Sequence, residues 1–254
     1  RFGKTVNLEK FDTTFFSIPK KQANVMDPQA RILQEHAYEA VVDAGISPRT
    51  LRGSRTGVFI GCCTVEADWF FSYDISIKDG LGLTGCSRAL LANRISFAMD
   101  LKGPSFTADT ACSSSGYALD LAFNAMRNGE CDSAIVGGAN LLLHPSTTIQ
   151  FHRLGVISVD GFCRPFDKDA SGYCRSEAIN VLFLQRAKDA KRIYAKLIYS
   201  KTNVDGFKNE GLTYPSGEIQ IKLLDEFYQD IGIDPSTIDF VEAHSTGTKV
   251  NYYS

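Results

Sequence analysis

With 254 residues, 44% of them hydrophobic and 22% charged, the chain carries enough apolar material for a core of ordinary globular size, which excludes disorder throughout. A formal net charge of -2 and a pI near 6.1 leave no basic footprint for nucleic acid or anionic membrane surfaces. No apolar run approaches the roughly 18 residues that span a bilayer, and no basic stretch followed by an apolar segment opens the chain, so a soluble, cytoplasmic protein is expected.

In chain order, Asp27-Pro28 reads as an N-cap followed by proline at the first helical position. Ile32, Leu33, Ala37, Ala40 and Val41 then repeat at helical spacing until Gly45. Thr56 to Gly61 is a short apolar, β-branched run bounded by glycine and reads as a buried strand, and a helix is expected from Cys86 to Phe97. Pro104 to Ala108 reads as a strand that runs into Asp109-Thr-Ala-Cys-Ser-Ser-Ser115. A helical stripe of Ala118, Leu121, Ala122, Ala125 and Met126 follows and ends near Gly129. Further strands are predicted at Ala134 to Gly138, Ile179 to Leu184, Tyr194 to Tyr199 and Ile238 to Ala243, with a helix over Leu223 to Ile231 stopped by Gly232. Helices alternating with short apolar strands favour an α/β layered architecture with largely parallel pairing.

Two positions stand out chemically. Cys112 falls where a strand hands over to a helix, so it meets unpaired backbone N–H groups and the positive end of the helix dipole, both of which favour a thiolate. The same amides can receive the oxyanion that forms when a thiolate attacks an acyl carbonyl, and Ala111, Ser113 to Ser115 and Gly116 leave room for a substrate. His244 sits at the end of the last predicted strand, before the turn-rich Ser245-Thr-Gly-Thr248, and supplies the complementary half of a Cys/His site.

Other signals carry less. The seven cysteines are an odd number without a C-x-x-C pair and lie mostly inside apolar segments, which points to buried thiols rather than disulfides or a zinc site. Gly80 to Gly85 matches G-x-G-x-x-G but follows no strong strand, so it reads as a loop before a helix cap rather than a nucleotide site. Asp167 to Gly172 begins like a calcium loop, yet the twelfth position is Ala178 and Pro165 interrupts the preceding helix, so calcium is rejected. His36, His144 and His152 share no ligand spacing, the adjacent Cys62 and Cys63 would point to opposite faces of a continued strand, and Lys188 to Arg192 reads as a solvated face.

Asp109-Thr-Ala-Cys-Ser-Ser-Ser115 resembles the nucleophile motif of β-ketoacyl synthases, and Glu242-Ala-His-Ser-Thr-Gly-Thr248 resembles their first catalytic-histidine motif. Met26-Asp-Pro-Gln29, Tyr38-Glu-Ala40 and Asp43-Ala-Gly45 are similar to the family's early helix. Ala134 to Gly138 is similar to its strand after the nucleophile helix, and Gly172 to Glu177 to its loop before the second half. Gly3-Lys4, Lys10 to Phe16 and Pro19 to Ala23 look more like the condensing domain of animal multifunctional fatty acid synthases than like polyketide synthases.

The resemblance implies a thiolase-like layered αβαβα fold. Residues 1–190 would form a nearly complete N-terminal half carrying Cys112, and residues 191–254 the truncated start of the C-terminal half carrying His244. It also implies a homodimer and a decarboxylative condensation. An acyl group would pass from the phosphopantetheine arm of an acyl carrier protein domain to Cys112, malonyl-carrier would lose carbon dioxide, and His244 would hydrogen-bond the malonyl thioester oxygen while the Cys112 N–H served the acyl oxyanion. No metal or redox cofactor is implied, and no cofactor beyond the carrier's arm.

Two departures stand beside the match: Ser245 occupies a place where the family more often has glycine, and Asn251 to Ser254 replace its continuing Gly-Asp-Pro. The start at Arg1 reads as that of an excised fragment, and the family's second histidine, nearby lysine and glycine-phenylalanine loop are expected beyond residue 254. On that reading, a chain of these bounds is expected to aggregate. The competing readings are a non-catalytic dimerisation or carrier-binding module, a polyketide ketosynthase, and a papain-like cysteine hydrolase.

Overall fold

The computed structural model describes residues 3–73 and 80–248. The departures read at Arg1 and at Asn251 to Ser254 therefore lie outside the described residues. The chain forms two compact units: a larger one of Lys4–His144 and Ser176–Lys196, and a smaller one of Arg1–Gly3, Pro145–Arg175 and Leu197–Ser254.

In the larger unit, four strands, β1 (Thr56–Gly61), β2 (Ser105–Ala108), β3 (Ser133–Asn140) and β4 (Ala178–Gln185), form one sheet in the order β2-β1-β3-β4. β1 pairs in parallel with both β2 and β3, whereas β4 runs antiparallel to β3. The central strand is buried on both faces, which is why it reads as a continuous apolar run rather than an alternating one.

The two faces are packed differently. Val58, Ile60 and Ile135 face α2 (Pro28–Asp43) and α5 (Ala89–Met99), which contribute Leu33, Ala37, Val41, Leu91 and Ile95. Phe59, Ala134 and Val136 face α6 (Ser114–Arg127), which meets them with Ala118, Ala122 and Ala125. These small side chains let the helix lie close to the sheet. α2 starts as the sequence predicts: the Asp27 carboxylate accepts the Gln29 N–H at 2.6 Å, and Pro28 occupies the first turn.

The remaining helices of this unit are α1 (Lys20–Asn24), α3 (Ala67–Tyr73) and α4 (Leu81–Cys86). α4 occupies the glycine-rich segment expected to be a loop, beginning after Gly80 in a left-handed conformation (φ 80°). The helix expected from Cys86 to Phe97 forms as α5, starting three residues later because Ser87, whose backbone is extended, separates it from α4. Lys191 and Arg192 are not simply solvated, since they bond the Gly45 carbonyl at 3.1 Å and the Asp43 carboxylate at 2.6 Å.

The smaller unit holds α7 (Pro145–Arg153) and α8 (Gly217–Ile231). Ser216 caps α8 by accepting the Ile219 N–H, and Gly232 closes it at φ 63°, where the missing Cβ removes the left-handed penalty. Buried Arg175 donates to Thr148 Oγ1 at 2.8 Å and lies over the Phe151 ring, tying α7 to the following loop.

Two expected strands do not form. Residues 194–199 and 238–243 adopt no regular secondary structure, and no backbone ladder joins them to a neighbour among the described residues. An apolar run becomes a strand only when another strand takes up its N–H and C=O groups. Tyr194, Ile198, Phe240 and Val241 accordingly stay exposed. Among the described residues, no helix is long and apolar enough to cross a membrane.

Candidate active site

Cys112 sits on a short 3-10 turn, Ala111–Ser113, between the end of β2 and the first residue of α6, and it is exposed. The sequence places it at this junction, and the structure adds how the junction is built. The carboxyl ends of β1 and β2 coincide in register and lie level with Gly138 near the end of β3, Gly61 standing opposite both Ala108 and Gly138. In parallel α/β sheets that edge is where ligands bind.

Both glycines are there for space. A Cβ on Gly61 would stand 2.5 Å from the Ser115 backbone nitrogen, and one on Gly138 would stand 2.8 Å from the Ser115 Cβ. The start of α6 can approach the sheet edge only because both side chains are missing. Glycine-bounded strands were legible in the sequence, but nothing in it said that the two glycines lie side by side under the nucleophile's helix.

The turn itself is strained and tied down. Ala111, immediately before Cys112, has φ 53°, a left-handed conformation that costs an L-residue about 1–2 kcal/mol. Ser114 Oγ donates to the Ala111 carbonyl at 2.6 Å and accepts the Thr110 N–H at 2.9 Å. Ser113 Oγ donates to the Thr110 carbonyl at 2.8 Å, and Asp109 Oδ1 accepts the Ala111 N–H at 3.1 Å.

Asp109 in turn pairs with the Arg88 guanidinium, which also donates to the Cys63 carbonyl at 2.9 Å. Partial desolvation pushes the Asp109 carboxyl up, but the Ala111 N–H and Arg88 outweigh it and hold it below the usual carboxylate range. The Cys63 thiol is pushed up by desolvation and then by its hydrogen bond and proximity to Asp109. Sequence reasoning named Asp109 only as the first residue of the motif and missed its pairing with Arg88, since no spacing rule links residues on different elements.

Burial separates three of the other cysteines from Cys112. Only Cys62, Cys86 and Cys131 are buried; Cys174 is half-buried, and Cys63, Cys112 and Cys163 are exposed, fewer buried thiols than composition suggests. The difference arises because Cys62 still points into the core while Cys63, past the end of β1, does not. Burial pushes the Cys62 and Cys86 thiols up to about 12, with the Asp27 carboxylate adding to the effect, so both are inert at neutral pH.

His244 belongs to the smaller unit and is exposed on the irregular segment before Thr248. Ser245 beside it has φ 28°, on the glycine-favouring side of the backbone map. The loop is anchored at Gly247, whose carbonyl accepts the Gly172 N–H at 3.0 Å, and Thr246 Oγ1 lies 3.3 Å from Thr248 Oγ1. His36 Nδ1 sits 3.1 Å from the Ile179 carbonyl, His144 stacks on Trp69, and His152 lies on α7. Among the described residues, no group of three or more His, Cys, Asp or Glu side chains is placed to hold a metal ion.

Residues 2–190 match the family described as beta-ketoacyl synthase, N-terminal domain, and residues 194–252 match the beta-ketoacyl synthase, C-terminal domain. A fatty acid synthase of the goose Anser anser anser is 51% identical over 98% of this chain and 71% of its own length. A highly reducing polyketide synthase of Cryptosporiopsis sp. (strain 8999) is 44% identical over 96% of this chain, which spans 10% of that protein.

Among solved structures, the ketosynthase from module 6 of the Bacillus subtilis 168 bacillaene synthase superposes with a TM-score of 0.85 at 40% identity, covering 95% of this chain and 42% of that one. The oxazolomycin ketosynthase domain OzmH KS7 of Streptomyces albus JA3453 gives 0.89 at 33%, covering 98% and 43%. The fold is therefore the thiolase-like fold of ketosynthase domains. The chain belongs to the β-ketoacyl synthase family, in the form found in animal fatty acid synthases.

Proposed function

We propose that the chain serves fatty acid synthesis as a β-ketoacyl-carrier synthase, with Cys112 as the acyl-accepting nucleophile and His244 as the donor that steadies the enolate. Cys112 sulfur attacks the carbonyl of an acyl thioester on the phosphopantetheine arm of a carrier protein, and the carrier thiol leaves with the proton. A malonyl-carrier then loses carbon dioxide, giving an enolate whose thioester oxygen accepts a hydrogen bond from His244. The enolate carbon attacks the Cys112 thioester, the thiolate leaves, and a β-ketoacyl-carrier results. The chemistry calls for no metal and no redox cofactor. The halves 1–190 and 191–254, a homodimer, a carrier-protein partner and a cytoplasmic setting complete the reading, supported by the similarity to the goose fatty acid synthase.

The observation that carries this reading is an exposed cysteine held on a strained, side-chain-clamped turn at the carboxyl edge of three parallel strands. The test is intact-mass spectrometry after incubation with an acyl thioester. One acyl adduct on the native chain, absent in Cys112→Ala and retained in His244→Ala, is expected. A folded chain that takes no adduct, or one that keeps it in Cys112→Ala, would overturn the assignment of Cys112.

A further inference from the structure

We propose that Arg88 is a positioning residue for the nucleophile: through Asp109 it holds Ala111 in its left-handed conformation and so fixes where Cys112 points. The proposal rests on the reading of Cys112 as the acyl acceptor and adds to it a residue 24 positions earlier in the chain.

The geometry is a set of four contacts, two of which form the relay from Arg88 through Asp109 to Ala111. Arg88 is the residue immediately before α5, so its backbone is set at the start of a helix packed on the sheet. Its guanidinium reaches across the sheet edge to two loops at once. It pairs with Asp109 Oδ2 at the end of β2 and donates to the Cys63 carbonyl, 2.9 Å away, just past the end of β1. Its own carbonyl accepts the Thr107 hydroxyl at 2.8 Å, a second tie between the start of α5 and β2. The other Asp109 oxygen accepts the Ala111 N–H at 3.1 Å.

Each contact has a stated direction of effect. A carboxylate is free to rotate about its side-chain torsions, and an Asp109 without a partner would spend part of its time turned to water. Arg88 removes that freedom with one oxygen and leaves the other aimed at the Ala111 N–H. That bond compensates for a backbone conformation Ala111 would otherwise leave. The pair is half exposed, so its worth lies in direction rather than in binding energy. Cys63 takes part too, since its carbonyl shares the same guanidinium.

The prediction is a loss of rate without a loss of affinity. In Arg88→Met, the limiting rate of Cys112 acylation by a simple acyl thioester should fall about tenfold, because the sulfur is no longer held on line with the carbonyl. The thioester concentration giving half that rate should stay within about twofold, since the small thioester does not touch Arg88. Asp109→Asn, which keeps an oxygen for Ala111 but loses the ion pair, should behave like Arg88→Met. Arg88→Lys should restore most of the rate. Alkylation of Cys163 by iodoacetamide, in the smaller unit, and the melting midpoint report whether a variant is merely misfolded.

Native acylation rates in Arg88→Met would overturn the proposal. So would a loss that appears equally at Cys163, or one that Arg88→Lys fails to recover. If the native chain takes no acyl group at all, the acyl-acceptor reading fails. The clamp is then judged by iodoacetamide alone: slower alkylation of Cys112 in Arg88→Met supports it, and unchanged alkylation ends it.

Discussion

The turn before Cys112 and the loop after His244 solve a similar backbone problem in opposite ways. Each holds a non-glycine residue at positive φ beside the candidate catalytic side chain, Ala111 at 53° and Ser245 at 28°. Around Cys112 the strain is met by four side-chain bonds and by a helix seated against Gly61 and Gly138 of two neighbouring strands. Around His244 the clearest anchor is one backbone bond, from the Gly172 N–H to the Gly247 carbonyl. The first is fixed by packing and side chains, the second by the path of its own chain. The difference follows from where each sits: one on a sheet edge with a core beneath it, the other on a segment with few buried neighbours.

The comparison breaks most visibly at its glycines. Gly61→Val would drive a side chain into the backbone at the start of α6, and overpacking against an immovable neighbour should cost about 3 kcal/mol, read as a lower urea midpoint. Cys112 acylation should be lost with it. Gly247→Ala meets its nearest atom at an ordinary 3.4 Å and suffers only from its φ of 64°, so about 1–2 kcal/mol and normal Cys112 labelling are expected. Equal effects of the two substitutions would mean that Gly61 and Gly138 do not set the helix position.

How much of this was legible in the sequence follows from the same contrast. The strands at 56–61, 133–140 and 178–185, the helix at 28–43 and the junction at Cys112 were readable because each is marked locally, by apolar runs, caps or glycine. The runs at 194–199 and 238–243 carry the same marks, yet no ladder takes up their backbone groups among the described residues. α7 was missed because Ser146-Thr147-Thr148-Ile149 is poor in helix formers, and its place is fixed by Arg175 from a distant loop. The pairing of Arg88 with Asp109 was invisible because the two are 21 residues apart and meet only through the sheet.

A smaller effect separates buried from exposed carboxylates in the two units. Glu177 lies in the larger unit with its side chain out of solvent, accepting Lys4 Nζ and the Thr5 N–H at 2.7 Å and the Leu142 N–H at 3.0 Å. Burial pushes its carboxyl up, but those donors outweigh it and hold the group below its ordinary value of 4.5. Because the folded value is the lower one, its contribution is fully present above about pH 4.5 and is lost as pH falls through the folded value.

Glu177→Gln should therefore cost about 2 kcal/mol at pH 7, with the gap to the native chain closing as the pH is lowered below 4.5. Asp230, in the smaller unit, is also held low, chiefly by Lys201 and then by Tyr199, but on an open surface where water and salt screen the charge. Asp230→Asn should leave the melting curve unchanged at either pH. A pH-independent deficit in Glu177→Gln would show that shape rather than charge matters there.

The smallest expected change in stability is also the sharpest test of how the Cys112 turn is held. Ala111→Gly removes the left-handed penalty of about 1–2 kcal/mol but adds the chain-entropy cost of glycine, about 0.5–1 kcal/mol, so the melting curve should move up slightly or not at all. The informative readout is the coupling with Arg88. If Arg88 acts by holding Ala111 at positive φ, a glycine that adopts this conformation unaided makes the clamp partly redundant. The fall in Cys112 acylation caused by Arg88→Met should then be smaller in the Ala111→Gly background than in the native one. If the two losses simply multiply, Arg88 acts on Cys112 by some route other than the Ala111 backbone, and the relay through Asp109 is not what orients the sulfur.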